Sequence, residues 1–459
     1  MPIQIYNSLS RKKEEFIPLN PPQVNIYTCG VTVYDESHIG HARSLYIFGL
    51  IRKYLAFRGF KVKFVRNITD IDDKIINRAN ELKVDWKELV EKYIARYYED
   101  LAVLGIERAD IEPRATENIP AMVEYVRGLI EKGFAYTGGG DVYFNVRKFT
   151  QYGKLSGQSI DQMETGVRIE PTELKKDPLD FALWKNSKPG EPSWESPWGQ
   201  GRPGWHIECS VMSQKFLNTQ TLDIHAGGRD LIFPHHENET AQAEALTGKP
   251  FAKYWIHHGL LTINGQKMSK SLGNFVTIKD FIAKYKNADF LKLFFLSAHY
   301  AHPIDFTEEK ITEAKKAYER IDILMRKADS GQAKSFKEIE EAKGKFIEAM
   351  DDDFNTPQAL AVVFELVNLA NKNIADNEFT LAAKQAIKEL ASLLGLSLNA
   401  QSGASEVSET EVLEKISQRQ DARKNKDFAL SDKIRQDLEA KGVILEDTKD
   451  GKTTWRRKL

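Results

Sequence analysis

Val24-Asn25-Ile26-Tyr27-Thr28-Cys29-Gly30-Val31-Thr32-Val33-Tyr34-Asp35-Glu36-Ser37-His38-Ile39-Gly40-His41-Ala42-Arg43-Ser44-Leu45 decides the fold. It opens as an apolar strand that ends around Tyr27 to Gly30. A short loop follows, then a helix whose apolar face is Leu45, Phe48, Ile51 and Leu55. His38 and His41 are three apart, so they share one helical face at the positive end of the helix dipole, where phosphate is favoured. Gly40 between them leaves the backbone bare to a nucleotide base or ribose. Alone, such a pair describes solvated first-turn histidines equally well. A second segment changes the reading: Lys267-Met268-Ser269-Lys270-Ser271, inside a glycine-bracketed loop from Asn264 to Asn274. Two ammonium groups on a mobile loop suit a clamp over nucleotide phosphates, matched to charge that develops in a transition state.

Working outward, strand and helix alternate through Val24 to Cys29, the helix from about His38, Val62 to Asn67, and Ile75 onward; Thr221 to Ile224 and Trp255 to Thr262 resume the pattern. This predicts an α/β doubly wound, parallel nucleotide-binding sheet. The glycine- and proline-rich interval from about Ala115 to Pro203 reads as a compact α+β insertion. From Thr307 the apolar residues Ile311, Ala314, Ala317, Tyr318, Ile321, Leu324 and Met325 fall at helical spacing, and a bundle continues through the Asp351 to Pro357 turn. Ser397 to Glu411 is small and polar, a linker. The expected division is 1–114 and 204–260 for the two halves of the catalytic fold, 115–203 for the insertion, and 261–306 for the lysine-loop region. The bundle takes 307–398, the linker 399–411, and a C-terminal unit 412–459.

The 459 residues carry a net charge of −1, which excludes a globally basic nucleic-acid binder. Any such surface must be local. Lys415 to Leu459 holds 13 Lys or Arg against 8 Asp or Glu, with Trp455 beside Arg456, Arg457 and Lys458. That pattern fits an RNA-binding end, with a solvated helix face as the alternative. Without an apolar leader or a membrane-length span, the chain reads as cytoplasmic with no membrane partner.

Two cysteines, Cys29 and Cys209, are too few for a disulfide framework. His235 and Glu239 lie four apart on a predicted helix, so they share a face. Singly, each of the four reads as a buried small side chain or a solvated one. Together they flank the predicted nucleotide site with two thiolates, one imidazole and one carboxylate, a donor set suited to zinc. All ten histidines fall between His38 and His302. His225, just before Gly227-Gly228, either faces the site or is a buried structural histidine.

The two signatures, the Cys29 to Asp35 block, Gly204 to Ser210, Phe233 to Glu239 and the Asp351 to Pro357 turn together resemble the bacterial cysteinyl-tRNA synthetases, a class I aminoacyl-tRNA synthetase family, over the whole length. The resemblance implies a class I fold with a connective insertion, a helical bundle and a small anticodon-binding C-terminal domain. It implies a ligase that activates L-cysteine with ATP and Mg2+ to cysteinyl-adenylate, releases pyrophosphate, and transfers cysteine to the terminal adenosine of tRNA-Cys. It implies that His38, His41, Lys267 and Lys270 are catalytic, and that Gly40, Gly228, Asp230 and Lys270 meet ATP. Gly30, Thr69, Trp205 and His225 would surround the substrate cysteine, and Cys29, Cys209, His235 and Glu239 would hold one zinc in a monomer. Two other readings stay open. A cysteine-adenylating ligase of the mycothiol pathway shares both signatures and the metal set but lacks an anticodon end. A non-catalytic RNA-binding paralogue would use zinc structurally, against which the intact His38, His41, Lys267 and Lys270 argue.

Overall fold

The computed structural model describes residues 2–160, 163, 174–269, 272–327, 334–398, 409–447 and 453–457. Its centre is a four-stranded parallel sheet in the spatial order Ala252–His258, Leu222–Gly228, Gln23–Thr32, Lys61–Thr69. Leu222–Gly228 is buried along its whole length, as a central parallel strand covered on both faces must be. Ile26, Ile224 and Ile256 pack on one face under the helix Ile39–Phe57. Tyr27, Val65 and Trp255 pack on the other, among residues of the helices Ile119–Glu131, Trp205–Leu217 and Glu237–Thr247. The chain leaves Gln23–Thr32 in one direction to reach Lys61–Thr69. It adds Leu222–Gly228 on the opposite side only after the intervening segment. The strand order therefore reverses at Gln23–Thr32, which places a crevice at the carboxyl ends of the strands, where open α/β sheets bind ligands.

Between the halves stands an antiparallel sheet, Ala135–Gly138, Asp141–Phe144, Phe181–Asn186 and Gly201–Pro203 in chain order. The first hairpin turns at Gly139 and Gly140, with φ of 62° and 92°, values a side chain would resist.

The expected strand Trp255 to Thr262 is two strands. Ala252–His258 belongs to the main sheet, whereas Leu261–Ile263 pairs with Ile304–Phe306 and Gln266–Lys267 in a small separate sheet. The break falls at Gly259, whose backbone passes so close to the His302 carbonyl that a Cβ would strike it. Asn264 and Gly265 then close a two-residue hairpin, both with positive φ, so the expected loop begins as a defined turn.

Helices Glu308–Met325, Lys337–Asp351, Thr356–Lys372 and Asn377–Leu393 form the bundle. Ile311, Ala314, Tyr318, Ile321 and Leu324 are buried in it, while Ala317 and Met325 lie at its flank. Two left-handed residues, Asp353 (φ 60°) and Phe354 (φ 53°), shape the turn between the second and third helices. Such residues cost about 1 kcal/mol or more each, and tertiary contacts offset that here. Asp353 accepts from the Tyr6 N–H (2.9 Å) and the Tyr300 hydroxyl (2.7 Å), and its own N–H donates to the Gln4 carbonyl (3.0 Å). Asp351 accepts from the Tyr54 hydroxyl at 2.7 Å and pairs with Arg58. The turn thereby fastens the bundle to the N-terminal hairpin Gln4–Asn7/Lys12–Glu15 and to the end of the first long helix.

The expected linker at 399–411 lies almost wholly outside the described residues. Beyond it, helices Glu409–Lys424 and Phe428–Ala440 and the antiparallel pair Val443–Asp447/Thr453–Arg457 enclose a small core of Val412, Ile416, Ile434, Leu438, Val443 and Leu445. Trp455 packs against that core. The ring stays partly exposed.

Candidate active site

The helix Ile39–Phe57 starts where the strand Gln23–Thr32 has ended, because His38 is its N-cap in extended conformation. Nδ1 of His38 accepts the His41 N–H (3.2 Å), and Nδ1 of His41 accepts the His38 N–H (3.3 Å). With both Nδ1 atoms accepting, each neutral ring carries its hydrogen on Nε2, ready to donate outward. Burial, then His38 and Lys74, push the His41 pKa well below the usual imidazole value, so it acts as a neutral donor. Gly40 has no room for a side chain: a Cβ would come within 2.9 Å of the His38 ring.

The lysine segment sits beside this turn. Ile39 N–H donates to the Val276 carbonyl (3.1 Å), Ile278 N–H to the Ser37 carbonyl (2.9 Å), and the Phe275 ring meets His38 edge-on at 5.3 Å. Met268 Cε lies 3.8 Å from where a Cβ of Gly40 would stand. Lys267 is exposed at the end of the hairpin, and the Asn274 side chain closes the segment by donating to the Lys267 carbonyl and accepting from Ser269 N–H. Lys270 lies outside the described residues. Gly228 ends the strand Leu222–Gly228 and Asp230 lies in the turn Arg229–Leu231 that follows, with His258 3.6 Å from a notional Gly228 Cβ.

On the strand that leads into the histidine turn, Cys29 belongs to a cluster of titratable side chains. One donor atom from each of Cys29, Cys209, His235 and Glu239 lies within 4.8 Å of the others. Cys29 comes from the end of its strand, Cys209 from Trp205–Leu217, Glu239 from Glu237–Thr247, and His235 from the turn preceding that helix. Gly30 permits the arrangement. A side chain there would run into the Asn67 carbonyl, and its N–H donates to the Asn67 side chain (2.8 Å) at a bulge between Thr28 and Val31.

Glu239 is shared by two imidazoles, His235 Nε2 (2.9 Å) and His225 Nε2 (2.7 Å). Burial alone would raise its carboxyl, yet those two rings hold it well below the usual carboxylate range. His235 rises to about 10 against its burial, through Glu239 and Cys209. Burial likewise opposes ionisation of Cys209, but hydrogen bonding from Cys29 and His235 brings it down to about 6. Burial, then Cys209 and Glu239, push the Cys29 thiol well above its usual value, so the negative charge of the cluster lies on Cys209 and Glu239.

Thr69 is buried and donates to Glu208 (2.7 Å), which braces the helix bearing Cys209. Trp205 stacks on His235 at 4.0 Å and stays partly exposed. His225 is fully buried, bonds Glu239 and stacks on Trp255 (4.5 Å). Sequence reasoning missed His236, which lies 3.3 Å from Cys29 and continues through His257 (2.8 Å) to the Ser8 hydroxyl (2.8 Å). A second donor group, Cys29, His225, His236 and Glu239, meets the same 4.8 Å limit. It was missed along with His236. The only signal for it was the adjacency of His235 and His236.

A family model for the class I (C) tRNA synthetase catalytic domain matches residues 15–316, and a DALR domain model matches 345–399. Among solved structures, Mycobacterium tuberculosis methionyl-tRNA synthetase in complex with methionyl-adenylate shares the fold, with a TM-score of 0.58 at 15% identity over 81% of this chain and 90% of that one. The chain is thereby one of the class I aminoacyl-tRNA synthetases. It is also 50% identical to the cysteine--tRNA ligase of Anoxybacillus flavithermus over 100% of both chains, and 52% identical to that of Thermodesulfovibrio yellowstonii over 100% of both. Within the class, it belongs to the cysteine--tRNA ligase family.

Proposed function

We propose that the protein is a ligase that joins L-cysteine to tRNA-Cys in two steps, adenylation by ATP and transfer to the tRNA's terminal adenosine. The observation that carries this reading is the packing of the His38–His41 turn against Met268 and the Phe275 to Ile278 stretch, with the thiol-rich cluster built on the strand that leads into that turn. The cysteine carboxylate is already nucleophilic, so the site must align it with the α-phosphate and neutralise the phosphate charge. His38 and His41 donate from Nε2 toward the nucleotide, and the helix N-terminus behind them adds its dipole. Lys267 and Lys270 draw over the departing pyrophosphate, which travels with Mg2+. Gly228 and Asp230 border the ribose side.

Cys29, Cys209, His235 and Glu239 fit a zinc ion. Ligand bonds of about 2.0–2.3 Å set tetrahedral donors about 3.3–3.8 Å apart, within reach of the spacing found. They fit better than the group with His225 and His236, since they use both thiols and leave His225 to orient Glu239 from outside, a common supporting role. Zinc held there supplies a soft Lewis acid for which a thiolate is a better ligand than a serine hydroxyl. A pocket alone separates near-isosteres by only about 10²-fold, whereas 10⁴-fold requires roughly 5.5 kcal/mol. Trp205, Thr69 and Gly30 then wall the space for a small side chain.

No helix among the described residues is long and apolar enough to cross a membrane. A cytoplasmic monomer is the working assembly. The experiment that tests the whole reading is cysteine-dependent ATP–pyrophosphate exchange with serine in parallel, followed by charging of tRNA-Cys. Exchange supported equally by serine, or transfer to an amino sugar but not to tRNA, would overturn it.

A further inference from the structure

Arg43, two residues past His41, is fully buried, and among the described residues no carboxylate lies within ion-pair distance of it. Its guanidinium meets backbone carbonyls through both terminal nitrogens, while Nε has no partner among the described residues. Nη1 donates to the carbonyls of Gly259 (2.7 Å) and Leu260 (2.9 Å), and Nη2 to those of Tyr300 (3.2 Å) and His302 (2.6 Å). Burial lowers its pKa to about 10, so it stays charged at neutral pH. The four carbonyls belong to two segments that cross at Gly259, where Gly259 N–H also donates to Tyr300 (2.9 Å). Immediately beyond the crossing, Leu261–Ile263 leads into the hairpin that carries Lys267, and Thr262 and Gly265 are pinned to Asp305 (2.6 and 2.8 Å).

We infer that Arg43 is a positioning residue for nucleotide activation, setting the distance between the His38–His41 turn and the lysine hairpin. The inference rests on the activity proposed above. A planar fork of five donors can serve four converging carbonyls, whereas an ammonium group offers three donors from a single point. A shift of about 1 Å in the hairpin is enough to cost about 10²-fold in rate. The cysteine-binding cluster is built on other elements and should not feel the change.

The test uses zinc-loaded, full-length protein: wild type, Arg43→Lys, Arg43→Ala and Gly259→Ala. Pyrophosphate exchange is normalised to active sites titrated by adenylate formation. For Arg43→Lys the expected result is full metal content, a cysteine KM within about twofold, and kcat per active site lowered about 10- to 100-fold. Gly259→Ala, which pushes the same crossing apart, should show the same split. Millimolar guanidinium should restore part of the Arg43→Ala rate where methylammonium does not. A variant with a lower melting temperature and fewer active sites but wild-type kcat per site would make Arg43 merely structural and overturn the inference. So would a parallel loss of cysteine affinity. If Arg43→Ala does not fold, the other two variants decide. A wild type without exchange would instead overturn the functional reading, and the inference with it.

Discussion

The rings of His38 and His41 lie face to face, 3.7 Å between centroids and 14° from parallel, each tied to the other's backbone. That reciprocal cap fixes both tautomers before any nucleotide arrives. Replacing His41 with Asn should remove one preorganised donor and lower the adenylation rate constant about 10²- to 10³-fold, with a smaller change in the KM for ATP. Single-turnover adenylate formation measures it, and an unchanged rate constant would sink the assignment.

Cys209 is the buried member of the thiol pair, and its strand-borne partner Cys29 is half-buried. Metal analysis should find about one zinc per chain in the wild type, and Cys209→Ser should lose most of it, since a neutral hydroxyl replaces a thiolate donor. Cysteine activation should disappear while tRNA binding persists. Full zinc retention in the variant would favour the alternative donor group that contains His225 and His236.

Lys270 is expected to act on the departing pyrophosphate. Its replacement by Ala should reduce the rate constant far more than it raises the KM for ATP, as for any interaction strengthened only in the transition state. A raised KM at an unchanged rate would assign it to ground-state binding instead.

The C-terminal unit must be removed ahead of Glu409, because a cut at Lys415 would split the helix Glu409–Lys424 and open its core at Val412. Without 409–459, cysteine-dependent exchange should continue. Affinity for tRNA should fall, and its salt dependence should flatten as fewer counterions are released. Loss of exchange in a folded truncation would make this unit part of the catalytic body.

His258 provides a pH test away from the thiol cluster. Burial holds its imidazole neutral, with its pKa lowered to about 4. The unfolded chain, with a histidine pKa of about 6.5, therefore takes up the proton first as pH falls. The stability contributed by neutral His258 is intact above about pH 6.5 and drains away toward pH 4, by roughly 3 kcal/mol in full. His41 acts in the same direction. Urea unfolding between pH 7 and 4 should show a shallower decline for His258→Gln than for wild type, and equal slopes would refute the account.

The histidine turn was legible because short-range spacing alone creates it, His38 and His41 lying three apart at a helix start. The four-donor set was legible from donor chemistry and from the i, i+4 pairing of His235 with Glu239. His236 was not. Consecutive helical residues point in different directions, and its partners Cys29, His257 and Ser8 are far apart in the chain. The break at Gly259 had a signal in the sequence, since His257-His258-Gly259 interrupts the apolar run from Trp255 to Thr262, and the approach of the His302 carbonyl makes the glycine necessary. The packing of Trp455 against the small C-terminal core had no sequence signal, since its basic neighbours pointed only to the surface side of the ring.

The fastening of Tyr6 to Asp353 has a bearing on how the chain is made. Their hydrogen bond spans 347 positions, so the first hairpin of the nascent polypeptide, which meets Lys253 and Trp255 earlier, lacks this contact until the bundle's central turn has been synthesised. At about 5–20 residues per second, that contact waits roughly 20–70 s on the ribosome. Such a long-range closure slows the final assembly step. Newly made molecules should depend on the chaperones that meet them, until residue 353 arrives and the two ends of the catalytic body close.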